Sequence, residues 1–246
     1  MIQPGLVSVT FRKLAPAEII ALVRQAQLTG IEWGGDIHVP DPARGREVRQ
    51  QTGDAGLAVA AYGSYYRVNG DKPFEPVLET AVALGAPTIR VWAGGLDSAK
   101  ADAAYRAAVV ADSRRIGDLA AKAGVTISYE WHGGTLTDTN ESGQQLLREV
   151  NHPNVFTLWQ PHNGVALEPN LAGLHAVLPR VTNVHVFHWW PDHTVRLPLA
   201  DGADRWREYL RVLAGRDRWA LMEFVAGDDP QNFLRDAATL RDWLKP

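Results

Sequence analysis

The sequence contains no cysteine among its 246 residues. The chain therefore cannot form a disulfide framework, a thiolate metal site or a thiol nucleophile. It has no apolar run of about 18 residues, the length that a membrane-spanning helix needs. Its formal net charge of −3 speaks against a nucleic-acid surface, which would need a basic stripe. The amino terminus lacks the charged start and apolar core of a signal peptide, so we expect a cytoplasmic protein.

The chain does contain a regular alternation of short β-like runs and amphipathic helical stretches. Hydrophobic residues make up 46% of it and charged residues 22%, which is ordinary for a globular protein with a large core. Helical periodicity is clear over 16–28, 102–123, 143–150 and 230–244. We predict eight strands, at 6–10, 31–36, 58–66, 88–93, 126–132, 155–161, 181–189 and 219–225.

Eight βα units in about 250 residues indicate an α/β protein with a single (β/α)8 TIM barrel domain over 1–246. An open doubly wound sheet is the alternative, but it usually has fewer strands, and no G-x-G-x-x-G turn follows the first strand. Residues 190–203 are rich in Pro, Asp and Gly, and they predict an extended loop after the seventh strand. In a barrel such loops build the active face.

Aromatic and histidine side chains collect at the carboxyl ends of the predicted strands. Six of the nine tryptophans lie there: Trp33, Trp92, Trp131, Trp159, Trp189 and Trp190. So do five of the eight histidines: His38, His132, His162, His185 and His188. A single tryptophan at such a place is as readily core packing, but six together favour a pocket. Flat aromatic walls suit sugars, whose C–H faces pack on rings while their hydroxyls bind polar groups.

Two carboxylates, Glu130 and Glu223, interrupt otherwise apolar strands, where an unpaired charge is costly to bury. Each must therefore meet a cation, which is either an arginine or a metal ion. If both point into the barrel, their apolar neighbours face the helices, and the same alternation turns Gln160 and His185 inward. Four candidate metal ligands then converge from strands five to eight: Glu130, Gln160, His185 and Glu223.

Oxygen and imidazole ligands without sulfur suit Mn²⁺, Co²⁺ or Mg²⁺, and they are compatible with Zn²⁺. The alternative is that Glu130 and Glu223 pair with arginines, for which Arg90 on strand four is a candidate. Glu32 on strand two also points inward, and strands two and four contribute to the same interior layers. We therefore expect a Glu32–Arg90 ion pair beneath the pocket.

At these residues the chain resembles the xylose-isomerase-like TIM barrels, a superfamily of sugar-phosphate isomerases and epimerases. The resemblance spans nearly the whole chain, and residues 30–40, 130–138, 183–188 and 221–224 carry it. It implies a divalent metal bound through Glu, Asp, His and Glu at the ends of strands five to eight. Gln160 stands at the Asp position, and this departure removes one charge from the ligand set and weakens the expected metal binding.

The resemblance also implies roles for individual residues. Glu130 and Glu223 would double as the acid/base pair at the sugar carbon, and Arg196 would hold substrate hydroxyls. Together with the strand-end aromatics, the expected substrate contacts are Trp33, His38, Trp92, His132, Asn163, His188 and Arg196.

The expected function is that of a divalent-metal-dependent sugar isomerase or epimerase, which moves a proton next to the carbonyl of a ketose or aldose through an enediolate. The alternatives are a keto-inositol-type dehydratase and a non-catalytic sugar-binding barrel. Apurinic-site endonucleases share this barrel, but the negative net charge disfavours a phosphodiesterase. The expected partner is a small-molecule sugar, with no nucleic acid and no membrane, and the sequence leaves homo-oligomerisation open.

Overall fold

Eight parallel strands close into a barrel in the computed structural model, which describes residues 1–245. Each strand pairs with its neighbours in chain order, and β8 closes on β1. The predicted (β/α)8 barrel is therefore confirmed. The strands are β1 (Ile2–Val7), β2 (Gly30–Gly34), β3 (Ala58–Arg67), β4 (Thr88–Trp92), β5 (Thr126–Glu130), β6 (Val155–Trp159), β7 (Val181–Val186) and β8 (Arg218–Met222).

Eight α-helices surround the barrel. They are α1 (Pro16–Gln25), α2 (Pro42–Asp54), α3 (Glu75–Leu84), α4 (Ala103–Lys122), α5 (Asn140–Val150), α6 (Leu167–Val177), α7 (Ala203–Leu213) and α8 (Pro230–Trp243). Four helices have an N-cap residue whose side chain accepts a hydrogen bond from a backbone N–H of the first turn. This bond satisfies an N–H group that has no partner within the helix. The capping residues are Asp41, Asp102, Thr139 and Asp229. Within residues 1–245, no helix has the length and apolar character to cross a membrane.

The first strand lies earlier than the sequence predicts. We expected residues 6–10, whereas β1 is Ile2–Val7 and a 3₁₀ turn follows over Ser8–Phe11. All four residues of this turn are buried. Val9, Thr10 and Phe11 are residue types that favour strands, so the sequence resembles a strand although the backbone is helical. Gly5 lets β1 approach its neighbours closely, because a Cβ there would lie 2.6 Å from Leu221.

The interior of the barrel has an apolar side and a polar side. Val7, Ala60 and Leu221 form a small buried cluster on the side of β8, β1 and β3. On the other side, the hydroxyls of Thr88, Ser128 and Thr182 form hydrogen bonds of 2.8 and 2.9 Å. The polar side chains of β4 and β5 continue two residues further along each strand, at the carboxyl end of the barrel.

Candidate active site

Three buried side chains meet at the carboxyl end of the barrel. Glu130 is the last residue of β5, His185 lies in β7, and Glu223 comes directly after β8. One ligand atom from each lies within 4.8 Å of the others. His185 Nδ1 is 3.3 Å from Glu223 Oε2 and 3.9 Å from Glu130 Oε1. Tyr129, next to Glu130, instead donates its hydroxyl to Ser113 of α4, as the predicted alternation requires.

Gln160 adds a further acceptor to this group. It follows β6 directly, and its Nε2 donates to the Trp131 carbonyl oxygen over 2.7 Å. Only the nitrogen end of an amide can donate, so this bond fixes the orientation of the side chain. The Gln160 Oε1 atom therefore faces His185 Nδ1, at 3.1 Å.

The second nitrogen of His185 determines what Nδ1 can do. His185 Nε2 lies 3.2 Å from Glu32 Oε2, and an ionised carboxylate only accepts, so Nε2 carries a proton. A neutral imidazole then directs the lone pair of Nδ1 at oxygen atoms, which is repulsive unless a cation lies among them. Burial opposes the charged ring, but Glu223 and Glu32 outweigh it and raise the pKa of His185 to about 10.

Arg90 holds two carboxylates at once. Its Nε donates to Glu32 Oε1 over 2.6 Å, and its guanidinium also pairs with Glu130 Oε2. Trp92 Nε1 donates to the same Glu130 oxygen over 2.5 Å. Against burial, Arg90 and His185 lower the pKa of Glu32 to about 2, and they also lower the pKa of Glu130. The structure thus contains the expected Glu32–Arg90 pair and, in addition, the alternative pairing of Arg90 with Glu130.

The charges and donor atoms of this cluster fit a divalent cation. Three buried carboxylates face one guanidinium, so with a neutral His185 two negative charges stay unbalanced. Unbalanced buried charge is costly; a proton would offset one of these charges and a dication both. Oxygen atoms and one imidazole nitrogen are ligands that Mn²⁺, Co²⁺ and Mg²⁺ accept. The residues that could hold such an ion are Glu130, Gln160, His185 and Glu223.

The backbone of Phe224 turns the chain immediately after Glu223. Its φ of 46° lies in the left-handed region, which is strained for a bulky side chain. Its N–H donates to Thr10 Oγ1 over 3.0 Å, and its carbonyl accepts from Trp189 Nε1 over 3.1 Å. These two bonds hold the strained residue and thereby the direction in which Glu223 leaves β8.

A cavity of about 840 Å³ opens at the cluster. The predicted residues that line it are Glu130, His132, Gln160, Asn163, Arg196 and Glu223. The His132 ring stacks on Trp92, with 4.7 Å between the ring centroids. Trp92, which donates to Glu130, therefore also supports the His132 side of the cavity. Arg196 forms an ion pair of 2.6 Å with Asp228 and lies over the Phe224 ring. Asp228 therefore balances its charge, and the role of Arg196 as a substrate contact stays a prediction.

Four other predicted contacts do not line this cavity. Trp33 has no exposed surface, because β2 directs Glu32 into the barrel and thus turns Trp33 toward the helices. His38 is 3% exposed and packs edge-on against Trp33 at 6.0 Å. His188 lies against Gly202 in a smaller neighbouring cavity. Among residues 1–245, the lining of the large cavity does not include Trp33, His38, Trp92 or His188.

Two main-chain contributions to the site were not predicted. They are the Trp131 carbonyl that orients Gln160 and the left-handed backbone of Phe224. Both act through main-chain atoms, so no residue type in the sequence predicts them. The Trp131 side chain itself packs outward, where Nε1 donates to Asn140 of α5 over 3.3 Å.

The chain matches the sequence model of the xylose isomerase-like TIM barrel family over residues 20–245, and it belongs to that family. No curated protein matches the chain in a sequence comparison.

Solved structures with the same fold include enzymes of more than one kind. The probable 3-DHS dehydratase of petrobactin synthesis from Bacillus anthracis is 21% identical, with 98% of this chain and 99% of that one covered and a TM-score of 0.81. The 3-keto-D-glucoside 4-epimerase from E. coli is 18% identical, with 98% and 100% covered and a TM-score of 0.74. A xylose isomerase-like TIM barrel protein from Mycobacterium smegmatis, in complex with magnesium, is 18% identical, with 100% and 98% covered and a TM-score of 0.72.

Proposed function

We propose that the protein is a divalent-metal-dependent sugar isomerase or epimerase. The observation that carries the proposal is the surrounding of His185 Nδ1, a buried nitrogen that faces oxygens of Glu130, Gln160 and Glu223 within 3.9 Å. A proton on Nδ1 or a metal ion relieves these contacts, and the charge of the cluster favours a dication because a proton offsets only one of the two unbalanced charges. The epimerases among the similar structures, one of which acts on a 3-keto-D-glucoside, are consistent with this reaction.

The two glutamates differ in their surroundings, as an acid and a base at one pH must. A bound divalent cation would polarise the carbonyl and adjacent hydroxyl of an open-chain sugar and so stabilise the enediolate that forms on loss of a proton. Within residues 1–245, no side chain other than His185 forms an ion pair with the Glu223 carboxylate. Glu223 therefore takes the proton from the carbon next to the carbonyl. Glu130 then acts as the acid that returns a proton, and it does so through Oε1, because Arg90 and Trp92 are hydrogen-bonded to its Oε2.

Exchange of carbon-bound hydrogen with solvent tests this proposal. The Mn²⁺-loaded protein is incubated in D₂O with a panel of ketoses and aldoses, and deuterium next to the carbonyl is followed by NMR. We expect exchange with at least one sugar and a loss of about 100-fold or more in Glu223→Gln, because general base catalysis contributes about that factor. Glu79→Gln, an exposed carboxylate on α3, is the matched control. If sugars bind but none of them exchanges hydrogen with solvent, the protein is instead a non-catalytic sugar-binding barrel.

A dehydratase is the second candidate. The fold likeness to the Bacillus anthracis dehydratase favours it, and a keto-inositol or similar ring would begin with the same removal of a proton. The reaction would then expel a hydroxyl instead of returning the proton. Product analysis separates the two. A dehydrated product is lighter than its substrate by one water molecule and absorbs in the ultraviolet as a conjugated enone, whereas an isomer or epimer has the same mass as the substrate.

A further inference from the structure

A second, smaller cavity lies beside the candidate metal centre, between α7 and the loops after β6 and β7. It shares four residues with the large cavity, so the two lie side by side: Pro161, His162, Asn163 and Trp189. Its volume of about 20 Å³ exceeds the roughly 10–15 Å³ that one water molecule requires. It can therefore hold one small group of a ligand that occupies the large cavity.

Arg205 supplies a positive charge to this cavity. Its guanidinium carbon lies 3.9 Å from the centroid of the Trp190 ring, and Nη1 donates to the Val165 carbonyl over 3.2 Å. Within the described part of the chain, no carboxylate forms an ion pair with Arg205, and no acidic residue lines the cavity. Arg205 thus differs from Arg196, whose charge Asp228 balances.

Tyr209 supplies an unused hydrogen-bond donor next to Arg205. It follows one helical turn later on α7, so both side chains lie on the same face of the helix. Tyr209 is 1% exposed, and its hydroxyl makes no hydrogen bond of 3.5 Å or less among residues 1–245, although the Asn170 side chain lies near it. His162 Nε2, in the same lining, is also buried without a partner. Buried polar atoms are almost always paired, so these two point to a ligand.

We infer that this cavity binds a carboxylate group of the substrate, which accepts hydrogen bonds from the Arg205 guanidinium and the Tyr209 hydroxyl. Trp190 covers one face of the guanidinium and leaves its edge, whose fork of N–H groups matches the two oxygens of a carboxylate. The inference rests on the proposed function and narrows it. The substrate class becomes sugar acids and polyhydroxy keto acids, with the carbonyl at the metal centre and the carboxylate at Arg205.

The test compares D-gluconate with D-glucitol, which differ only in a carboxylate or a hydroxymethyl group at one end. Calorimetry in excess EDTA measures the affinity of both, so that metal chelation does not contribute. We expect gluconate to bind about 10-fold or more tightly than glucitol, because bonds to a charged partner are the stronger ones. Arg205→Gln removes this preference, Arg205→Lys restores part of it, and Tyr209→Phe weakens gluconate binding about fivefold. Arg207→Gln, at an exposed position of the same helix, leaves it unchanged.

Three results would overturn the inference. These are equal affinity for gluconate and glucitol, a preference that persists in Arg205→Gln, and inorganic phosphate that competes more strongly than acetate. Circular dichroism of each variant confirms that it is folded. The exchange assay with neutral sugars is independent of Arg205. Exchange without a gluconate preference therefore refutes this inference alone, whereas a gluconate preference without exchange, either from the neutral sugars or from a polyhydroxy keto acid such as 2-keto-D-gluconate, refutes the proposed function.

Discussion

Two buried histidines of this protein, His185 and His38, have opposite surroundings. His185 lies between Glu32 and Glu223, and these carboxylates raise its pKa to about 10 against the effect of burial. His38 lies beside Trp33 and is bonded to Ser8 Oγ over 2.9 Å, and burial lowers its pKa. The sequence places both histidines at or just beyond the carboxyl ends of predicted strands, and we expected both at the site. The comparison shows that a buried histidine becomes a candidate ligand only where the fold brings carboxylates to it.

The strongest contrast should appear in metal binding. His185→Asn should weaken Mn²⁺ binding by about 100-fold or more, because it removes a ligand and not merely a second-layer contact. His38→Asn should change the affinity by less than about threefold, since no candidate ligand contacts it. Calorimetry on the metal-free proteins gives both values. Equal losses in the two variants would remove the distinction between the two regions.

The carboxylate behind His185 should have the next largest effect. Glu32→Gln keeps a hydrogen-bond acceptor for Nε2 but removes the charge that orients the ring and neutralises Arg90. We expect a loss of about 10- to 100-fold in Mn²⁺ affinity, as for other partners of metal-bound histidines. Glu47→Gln on α2 is the exposed control. The visible spectrum of the Co²⁺-loaded variant should shift as well, and an unchanged affinity and spectrum would show that Glu32 only neutralises Arg90.

Gln160 should limit the affinity of the centre. A hard divalent cation gains much of its binding from carboxylate charge, so Gln160→Asp should bind Mn²⁺ about 10-fold more tightly. The native protein should also lose metal on dialysis more readily than this variant. Glu223→Gln should harm activity more than Gln160→Asp does, because Glu223 also moves protons. Equal Mn²⁺ binding by the native protein and Gln160→Asp would mean that Gln160 is not a ligand.

The smallest effect concerns stability around His38. Its lowered pKa means that the unfolded chain binds more protons than the folded protein as the pH falls toward and below about 6.5. Stability should therefore decrease with acidification through this range, and His38→Gln should decrease less steeply. Urea unfolding of both proteins at pH 7.5 and 5.5 measures the difference. Parallel behaviour of the two would mean that His38 takes up a proton without opening the structure.

Sequence patterns predicted most of the barrel and part of the site. The alternation of strands and helices identified all eight strands, but the buried 3₁₀ turn of Ser8–Phe11 displaced the first one. The period of two along β5 and β7 correctly directed Glu130 and His185 inward. The same rule, applied to Glu32, would have turned Trp33 toward the helices, yet its place at a strand end suggested a substrate contact.

The sequence by itself determined which side chains enter the barrel, because the direction of a strand side chain depends on its local position in the strand. Only the tertiary structure decided what they meet there. Arg90 contacts both Glu32 and Glu130, although 58 and 40 positions separate it from them in the chain. The Trp131 carbonyl orients Gln160, and Trp189 and Thr10 hold Phe224. These contacts depend on how the closed barrel brings distant strands and loops together, which no local pattern encodes.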